Sequence, residues 1–506
     1  MPRFRTPDLK QRLMLPISLE DQIVPGTLEY AIHDVVEHRL DLTPFHARFH
    51  NDQTGRPAID PKVLLKIVLL GYSRGLVGSR RIEQACHENI LFIAMTGDDA
   101  PDHSTIAEFV SSMGDLTRPL FTQVLMVCEE MNLLGGTLFA IDGCKLPGNA
   151  SKKWSGTLSE LREKQASLEK KIERIMAEHQ EADRKDLQSN KDDDDSPQNH
   201  RKRQIDRLQQ QADKISRFLA DAKERMGKQN KEIKSNITDP DSAKMKTSHG
   251  TIQGFNAQAV VDHKHQIIVA GAASGEGQDQ AHAAMMLPIM AKNLKALGYR
   301  KTALRKAAFL ADSGYFSITN LEACSATGMN TVIPDPHFRM RDVRLAGQKK
   351  YQPKGRGKFA LQQFRYDGSS DTYICPAGER LRSYAKQTLF GGRRCRMYVG
   401  RSEICGSCRL RTECMIRQAR RRTLMIPLPN QKLPITDLMR QKIDTTEGRR
   451  LYERRMGTVE PVFANLVENK RLKRFTLRGL LKATTQWLLW CMVHNLEKIG
   501  NYGYAS

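Results

Sequence analysis

The chain lacks any run of the roughly 20 consecutive apolar residues that a membrane-crossing helix requires. Val63–Leu70 is interrupted by Lys66, and Trp487–Val493 is too short. Membrane spanning is therefore not expected, and a basic chain could at most meet a membrane surface. The first residues, Met-Pro-Arg-Phe-Arg-Thr-Pro-Asp-Leu-Lys, hold no apolar stretch of the kind an export signal needs, so a cytoplasmic location is expected. In a reducing compartment the ten cysteines read as free thiols or metal ligands rather than disulfides. Acidic charge is also short. Asp and Glu number 57 against 80 Lys and Arg, giving a formal charge of +23 and a pI near 9.6. That excess points to a polyanionic partner, with nucleic acid as the first candidate. At 506 residues the chain exceeds what one core organises, so about two to four units are expected.

Residues 1–135 read as a helical N-terminal domain. Pro61 opens an apolar stripe to Leu70, Ser79-Arg80-Arg81-Ile82-Glu83 resembles a capping box, and Gly71–Gly75 with Gly78 suggests the turn between two helices. With the apolar segment after Pro101-Asp102-His103-Ser104-Thr105, this suits a helix-turn-helix-like DNA reader or a plain packing unit. An apolar run, Thr-Leu-Phe-Ala-Ile-Asp-Gly, reads as a buried strand ending at Asp142, within a segment 136–152. From Ser151 to about Asn236 the composition turns to Lys, Glu, Gln, Arg and Asp. Leu158, Leu161, Leu168, Ile172 and Ile175, then Ile205, Leu208, Ala212, Ile215 and Leu219, recur at steps of three and four. This predicts an antiparallel helical hairpin inserted over 153–247, with a helix-breaking polar tip at Asp192–Pro197. It is either a solvated spacer or a dimerisation or DNA contact.

Strands over Thr251–Asp262 and Gln266–Ala270 flank the turn His263-Lys264-His265. A helix from Asp279 to Leu297 closes at Gly298, and a strand then ends at Asp312. A helix over Asn320–Thr327 and a strand over Thr331–Pro334 complete an alternation that predicts an α/β core over 248–335. Residues 336–436 break this pattern with Gly, aromatic and basic residues and five cysteines, and read as a second insertion. Asp437–Asn469 and Phe475–Ile499 read as helices within a C-terminal part, 437–506, the second with an apolar face including Leu481, Trp487, Leu488 and Leu496.

Two strand-end aspartates, Asp142 and Asp312, suit a metal site. Mg²⁺ takes oxygen ligands in octahedral geometry, and carboxylates on strand ends are rigid enough to hold two ions roughly 3.5–4 Å apart. Gly143 and Ser313-Gly314 would let a phosphate backbone approach, although each acid taken alone also suits a cap or turn. A third acid is Glu460, in Val459-Glu460-Pro461-Val462-Phe463. That setting places one acid among core residues, where a buried acid needs a reason. Glu453, Glu447 and Glu468 compete with it, and Asp335 competes with Asp312.

With Phe139-Ala140-Ile141-Asp142-Gly143, Gly254-Phe255-Asn256-Ala257-Gln258, Ala311-Asp312-Ser313-Gly314-Tyr315 and the late Tyr452, Arg455, Glu460 and Lys470, the chain resembles bacterial insertion-sequence transposases of the DDE superfamily. The resemblance implies an RNase-H-like catalytic domain carrying the two insertions. It implies that Asp142, Asp312 and Glu460 hold two Mg²⁺ or Mn²⁺ ions. Tyr452, Arg455 and Lys470 would handle DNA phosphates at the transposon end. It further implies cleavage and strand transfer, a homo-oligomer on DNA, and association with the nucleoid. The familiar signature puts three residues between Arg and Glu and six between Glu and Lys; here four separate Arg455 from Glu460 and nine separate Glu460 from Lys470. A metal-dependent nuclease without strand transfer, an inactive DNA-binding relative and a coiled-coil scaffold are the other readings.

Cys405-Gly-Ser-Cys408 has the spacing at which two thiolates meet one Zn²⁺, and Cys375 with Cys414 would complete a candidate structural tetrathiolate site. Reduced thiols are the alternative. Cys86, Cys128, Cys144, Cys324 and Cys491 read as packing residues. Basic residues at Arg417, Arg420–Arg422, Arg440, Lys442, Arg449, Arg450 and Arg454 would neutralise phosphates.

Overall fold

The computed structural model describes residues 18–47, 57–186, 197–226, 232–248, 250–345, 347–351, 358–429 and 431–504. The export-signal segment and most of the Asp192–Pro197 tip lie outside them. The chain forms two compact units, one of residues 1–307 with 456–506 and one of residues 308–455.

In the first unit the helix Pro61–Ser73 starts where Asp60 accepts the Lys62 N–H at 2.8 Å and Pro61 needs no N–H partner. It is buried almost all round, and its one buried cation, Lys66, meets Glu37 at 2.7 Å. Tyr72 closes it against the C-terminal helix Leu480–Lys498: its hydroxyl accepts from Gln486 at 3.0 Å, and its ring lies 5.1 Å from Trp490. The N-terminal helices and the chain's last helix therefore share a core. Two local expectations fail. Gly71, Tyr72 and Ser73 stay helical, so the turn begins at Arg74. Gly78, not Ser79, caps the next helix, and Glu83 accepts from the backbone and ring of His103 instead of closing a capping box.

The first unit's strands are β1 (Leu138–Pro147), the short pair β2 (Ser155–Gly156) and β3 (Ser235–Asn236), then β4 (Ala243–Thr247), β5 (Gly250–Asp262) and β6 (Ile268–Ser274). β5 is the long central strand: one edge pairs antiparallel with β1, the other with β4 near its start and β6 further on. Gly254 is required at the crossing, since a Cβ there would stand 2.0 Å from the Leu146 carbonyl oxygen. On β6, Asn495 of the C-terminal helix pairs with both backbone groups of Ile268 at 2.9 Å. That helix buries Trp487, Leu488 and Leu496, but Leu481 is 47% exposed and does not belong to the apolar face.

The charged segment forms the expected hairpin, Leu158–Asp186 and Pro197–Asp221. A reciprocal box starts it, with Thr157 and Glu160 each accepting the other's N–H at 3.2 and 3.0 Å. The seam residues Leu158, Leu161, Ile172, Ile175, Leu208, Ala212 and Ile215 are buried as their spacing predicts.

In the second unit β7 (Ala308–Leu310) and β8 (Asn330–Val332) run parallel, joined by the helix Ile318–Thr327, which Ser317 caps. The stretch that broke the alternation is itself a five-stranded antiparallel sheet. Its strands are β9 (Arg365–Asp367), β10 (Thr372–Ile374), β11 (Arg380–Phe390), β12 (Arg393–Val399) and β13 (Thr423–Pro427), ordered 13-12-11-10-9 around Phe364, Leu381, Tyr398 and Leu424. The single helix expected over Asp437–Asn469 is two, Ile435–Asp444 and Thr446–Ala464, followed by a wider turn over Asn465–Asn469. The architecture is mixed α/β.

Candidate active site

Asp142 is not at a strand end. It is the fifth residue of β1, opposite Ala259, at the point where the strand changes from fully to partly buried. Its Oδ1 accepts the Gly143 N–H at 2.8 Å. Two positions on, burial and then the Asp142 charge push the Cys144 thiol up to about 12, so this cysteine is a neutral packing group. Asp312 lies two residues beyond β7 and caps a short turn, its Oδ1 accepting the Gly314 N–H at 2.9 Å. The sequence pairs these acids as alike, yet one is held mid-strand by a sheet and the other by a turn.

Glu460 lies on the helix Thr446–Ala464 and is exposed. The reason for preferring it over its rivals is thus corrected. Val459 and Val462 point into the core, and helical rotation turns the acid between them to solvent. Accessibility is nonetheless what a ligand to an exchangeable ion needs. One turn on, Phe463 stacks on Trp487 at 6.1 Å and 15°. The Trp487 indole donates to the Gln258 carbonyl at 2.8 Å, and Gln258 pairs with Gly143, next to Asp142. Thr458 meets His263 at 2.9 Å, and the Gly457 carbonyl accepts from Gln266 at 2.9 Å. The end of the Glu460 helix is thereby anchored to the sheet that carries Asp142.

The rivals are otherwise engaged or unremarkable. Glu453 pairs with Arg344 at 2.9 Å, while Glu447 and Glu468 are exposed. Asp335 is buried and gripped by both terminal nitrogens of Arg341 at 2.6 and 3.0 Å; burial pushes its carboxyl up, but those bonds outweigh it and hold it below the usual range. Of the phosphate-handling residues, Tyr452 sets its ring edge-on to Phe338 at 5.3 Å, and Arg455 is buried. Lys470 is buried too and directs its ammonium to Glu497 at 2.8 Å, a placement that does not support the phosphate contact expected of it.

An all-oxygen set of Asp142, Asp312 and Glu460 suits a hard cation such as Mg²⁺ or Mn²⁺. Among the described residues, however, no three His, Cys, Asp or Glu side chains are gathered in a group able to hold a metal ion. Cys375, Cys405, Cys408 and Cys414 all line one cavity of ≈ 30 Å³ in the second unit. Burial raises the Cys414 thiol, Arg422 opposes this, and the other three sulfurs each add to the rise. Cys86, Cys128, Cys324, Cys395 and Cys491 are buried.

Much of the late basic sequence is spent inside the fold. Arg422 donates to the Cys414 and Phe359 carbonyls at 2.8 Å, Arg449 meets Asp342 at 2.7 Å, and Arg440 meets Asp437 at 2.8 Å. Arg417 and Arg420 are exposed. Sequence reasoning passed over Asp279, which accepts from Asn256 at 2.8 Å and Gln258 at 3.1 Å and contacts His282 at 3.2 Å. This polar knot braces β5 against the following helix; the period-two pattern of Asn256 and Gln258 on one face was the available signal.

Residues 374–500 match a family model described as transposase DDE domain, and residues 17–112 match another described as transposase domain (DUF772). These two matches support an insertion-sequence DDE transposase. The DDE-domain match takes in the five-stranded sheet from the last residue of β10 onward, the four cavity cysteines and Glu460, whereas Asp142 and Asp312 lie outside both matches. Among curated proteins and solved structures, none matches the chain. No helix among the described residues is long and apolar enough to cross a membrane.

Proposed function

We propose that this transposase cleaves DNA at insertion-sequence ends and joins the freed 3′-hydroxyl to target DNA, acting as a homo-oligomer. Asp142, Asp312 and Glu460 are its catalytic carboxylates. The observation that carries this reading is the anchoring of the Glu460 helix, through Phe463 and Trp487, to the strand pair that presents Asp142. Two divalent ions held by these acids would activate the attacking oxygen and neutralise the leaving one. The chain's own contribution is orientation. The Gly143 and Gly314 N–H groups fix the carboxylates of Asp142 and Asp312 by bonding Oδ1, and the small residues beside them leave room for a phosphate backbone.

The test supplies purified protein with a pre-cleaved transposon end, target DNA and Mg²⁺. A joined product is expected; hydrolysis without joining would assign a nuclease instead. Asp142→Asn is expected to lose cleavage and joining by at least about 100-fold while DNA binding persists, since an amide cannot replace a metal-binding carboxylate. Unchanged activity in that variant would leave only a DNA-binding role.

The shared cavity of Cys375, Cys405, Cys408 and Cys414 supports a structural role for zinc in the second unit. About one equivalent of zinc by elemental analysis, lost in Cys405→Ser with Cys408→Ser, is the expected result; none in protein purified without chelator contradicts it.

A further inference from the structure

A second feature of the first unit has no place in the catalytic reading. A cavity of ≈ 840 Å³ opens where the hairpin's second helix returns to the sheet domain. Lys214, Arg217, Arg474 and Arg478 line it together with Trp154 and Phe218, and no Asp or Glu does. The four cations are exposed while the two aromatic side chains are half-buried, so each ring is fixed but reachable. Asn149 braces the arginines: its side-chain oxygen accepts from Arg474 at 3.4 Å and its carbonyl from Arg478 at 2.8 Å. Arg217 turns back only to the Asp213 carbonyl at 3.3 Å, and Lys164 sits over the Trp154 ring at 4.2 Å, adding positive charge. Arg478 also acts on the buried Asp239, whose carboxyl burial raises and this arginine lowers.

Cations that track a backbone, combined with aromatic faces, are what unpaired nucleic acid requires, because only an unstacked base offers its π-face to a side chain. A duplex keeps its bases stacked inside, offers the rings nothing and does not enter the groove. The volume lies within the range of small-ligand clefts, roughly 300–1,000 Å³, and accommodates a nucleotide or two. We propose that this groove binds an unpaired stretch of DNA, stacking bases on Trp154 and Phe218 and holding phosphates with Lys214, Arg217, Arg474 and Arg478. The hairpin then has a ligand-binding role at its base as well as an architectural one. The proposal relies on the transposase reading only for the polyanion being DNA, and it is independent of the catalytic carboxylates.

The test measures binding of the full chain to fluorescein-labelled oligo(dT) and to duplex of equal length, by anisotropy over a range of salt. Lys214→Glu with Arg217→Glu, both on the exposed side of a helix, is expected to weaken oligo(dT) binding at least about tenfold. It should also lower the slope of log affinity against log salt by about 1.4, near 0.7 for each phosphate left without its cation, with duplex affinity changed less than about threefold. Phe218→Ala should cost roughly 5- to 150-fold on the single strand, the range for one stacked base, and Phe218→Tyr should restore it. Unchanged oligo(dT) binding, or equal weakening for both DNAs, overturns the proposal. Should a variant misfold, ultraviolet cross-linking of oligo(dT) to the unaltered protein decides: adducts at Trp154 or Phe218 support the groove, and adducts only elsewhere reject it. Asp142→Asn run beside these keeps the readings apart, since the groove predicts full oligo(dT) binding by that variant whether or not the transposase cleaves DNA.

Discussion

In the second unit Arg341, Arg344, Arg393, Arg396 and Arg449 each face a carboxylate at 2.6 to 3.0 Å, whereas Lys214, Arg217, Arg474 and Arg478 of the first unit meet no carboxylate among the described residues. Density of arginine in the sequence is therefore a poor guide to where a polyanion binds. The second unit uses guanidinium forks to satisfy aspartates and carbonyls around a modest core, as with Asp335 and Asp342. The first unit has a large apolar core of its own, and the arginines at its groove are held by neutral oxygens that do not cancel their charge. A formal charge of +23 is thus distributed unevenly in effect.

The two units should also answer acid differently, and this gives the largest expected effect. In the first unit His494 is buried, with Nε2 facing the Gln266 carbonyl at 2.9 Å, and burial lowers its pKa from 6.5 to about 4. Below pH 6.5 the unfolded chain takes up a proton that the folded one refuses. Stability is therefore complete above 6.5 and falls as pH drops towards 4, by on the order of 3 kcal/mol. In the second unit Asp335 and Asp342 are held below 3.8, so their contribution persists to lower pH and is lost only beneath that value. All three tryptophans, Trp154, Trp487 and Trp490, lie in the first unit, so their fluorescence reports it alone. Urea midpoints read by tryptophan should decline from about pH 6, ahead of any midpoint assigned to the five-stranded sheet; coincident decline would break the contrast.

Asp335→Ala should cost about 2 kcal/mol, since it removes the buried carboxylate that Arg341 grips with both terminal nitrogens and leaves that arginine with Asp444 alone. The loss should appear in unfolding while the salt slope of DNA binding stays unaltered; a changed slope would mean that this arginine faces DNA after all. A smaller effect is expected for Leu481→Ala, less than about 0.5 kcal/mol by denaturant unfolding, because that side chain lies half in solvent. A cost near that of a core leucine would restore the apolar face that its spacing suggested.

Periodicity was the most readable property of this sequence. The hairpin seam from Leu158 to Ile215 follows from steps of three and four, because a two-helix contact is a local repeat. Strand and helix alternation around Asp312 was legible for the same reason. Local context misled where the neighbours of a residue in sequence are not its neighbours in space. Val459 and Val462 flank Glu460 yet face the other way on a helix, and the apolar run before Asp142 hid five further strand residues of mixed burial. Lys470 resembled a phosphate ligand until Glu497, from the last helix, was brought against it. The groove could not be read at all, since it gathers residues near 150, 215, 237 and 475 whose only relation is the fold.

Glu460 is where the catalytic account is most exposed, because its sequence rationale changed while the role proposed for it did not. The most direct measurement is joining of a pre-cleaved transposon end to target DNA in Mg²⁺ by the unaltered protein, Glu460→Gln and Glu453→Gln, each checked for folding by tryptophan fluorescence. The account predicts joined product from the unaltered protein and from Glu453→Gln within about threefold, and at least about a 100-fold loss in Glu460→Gln. Full joining by Glu460→Gln, with loss in Glu453→Gln, would contradict it.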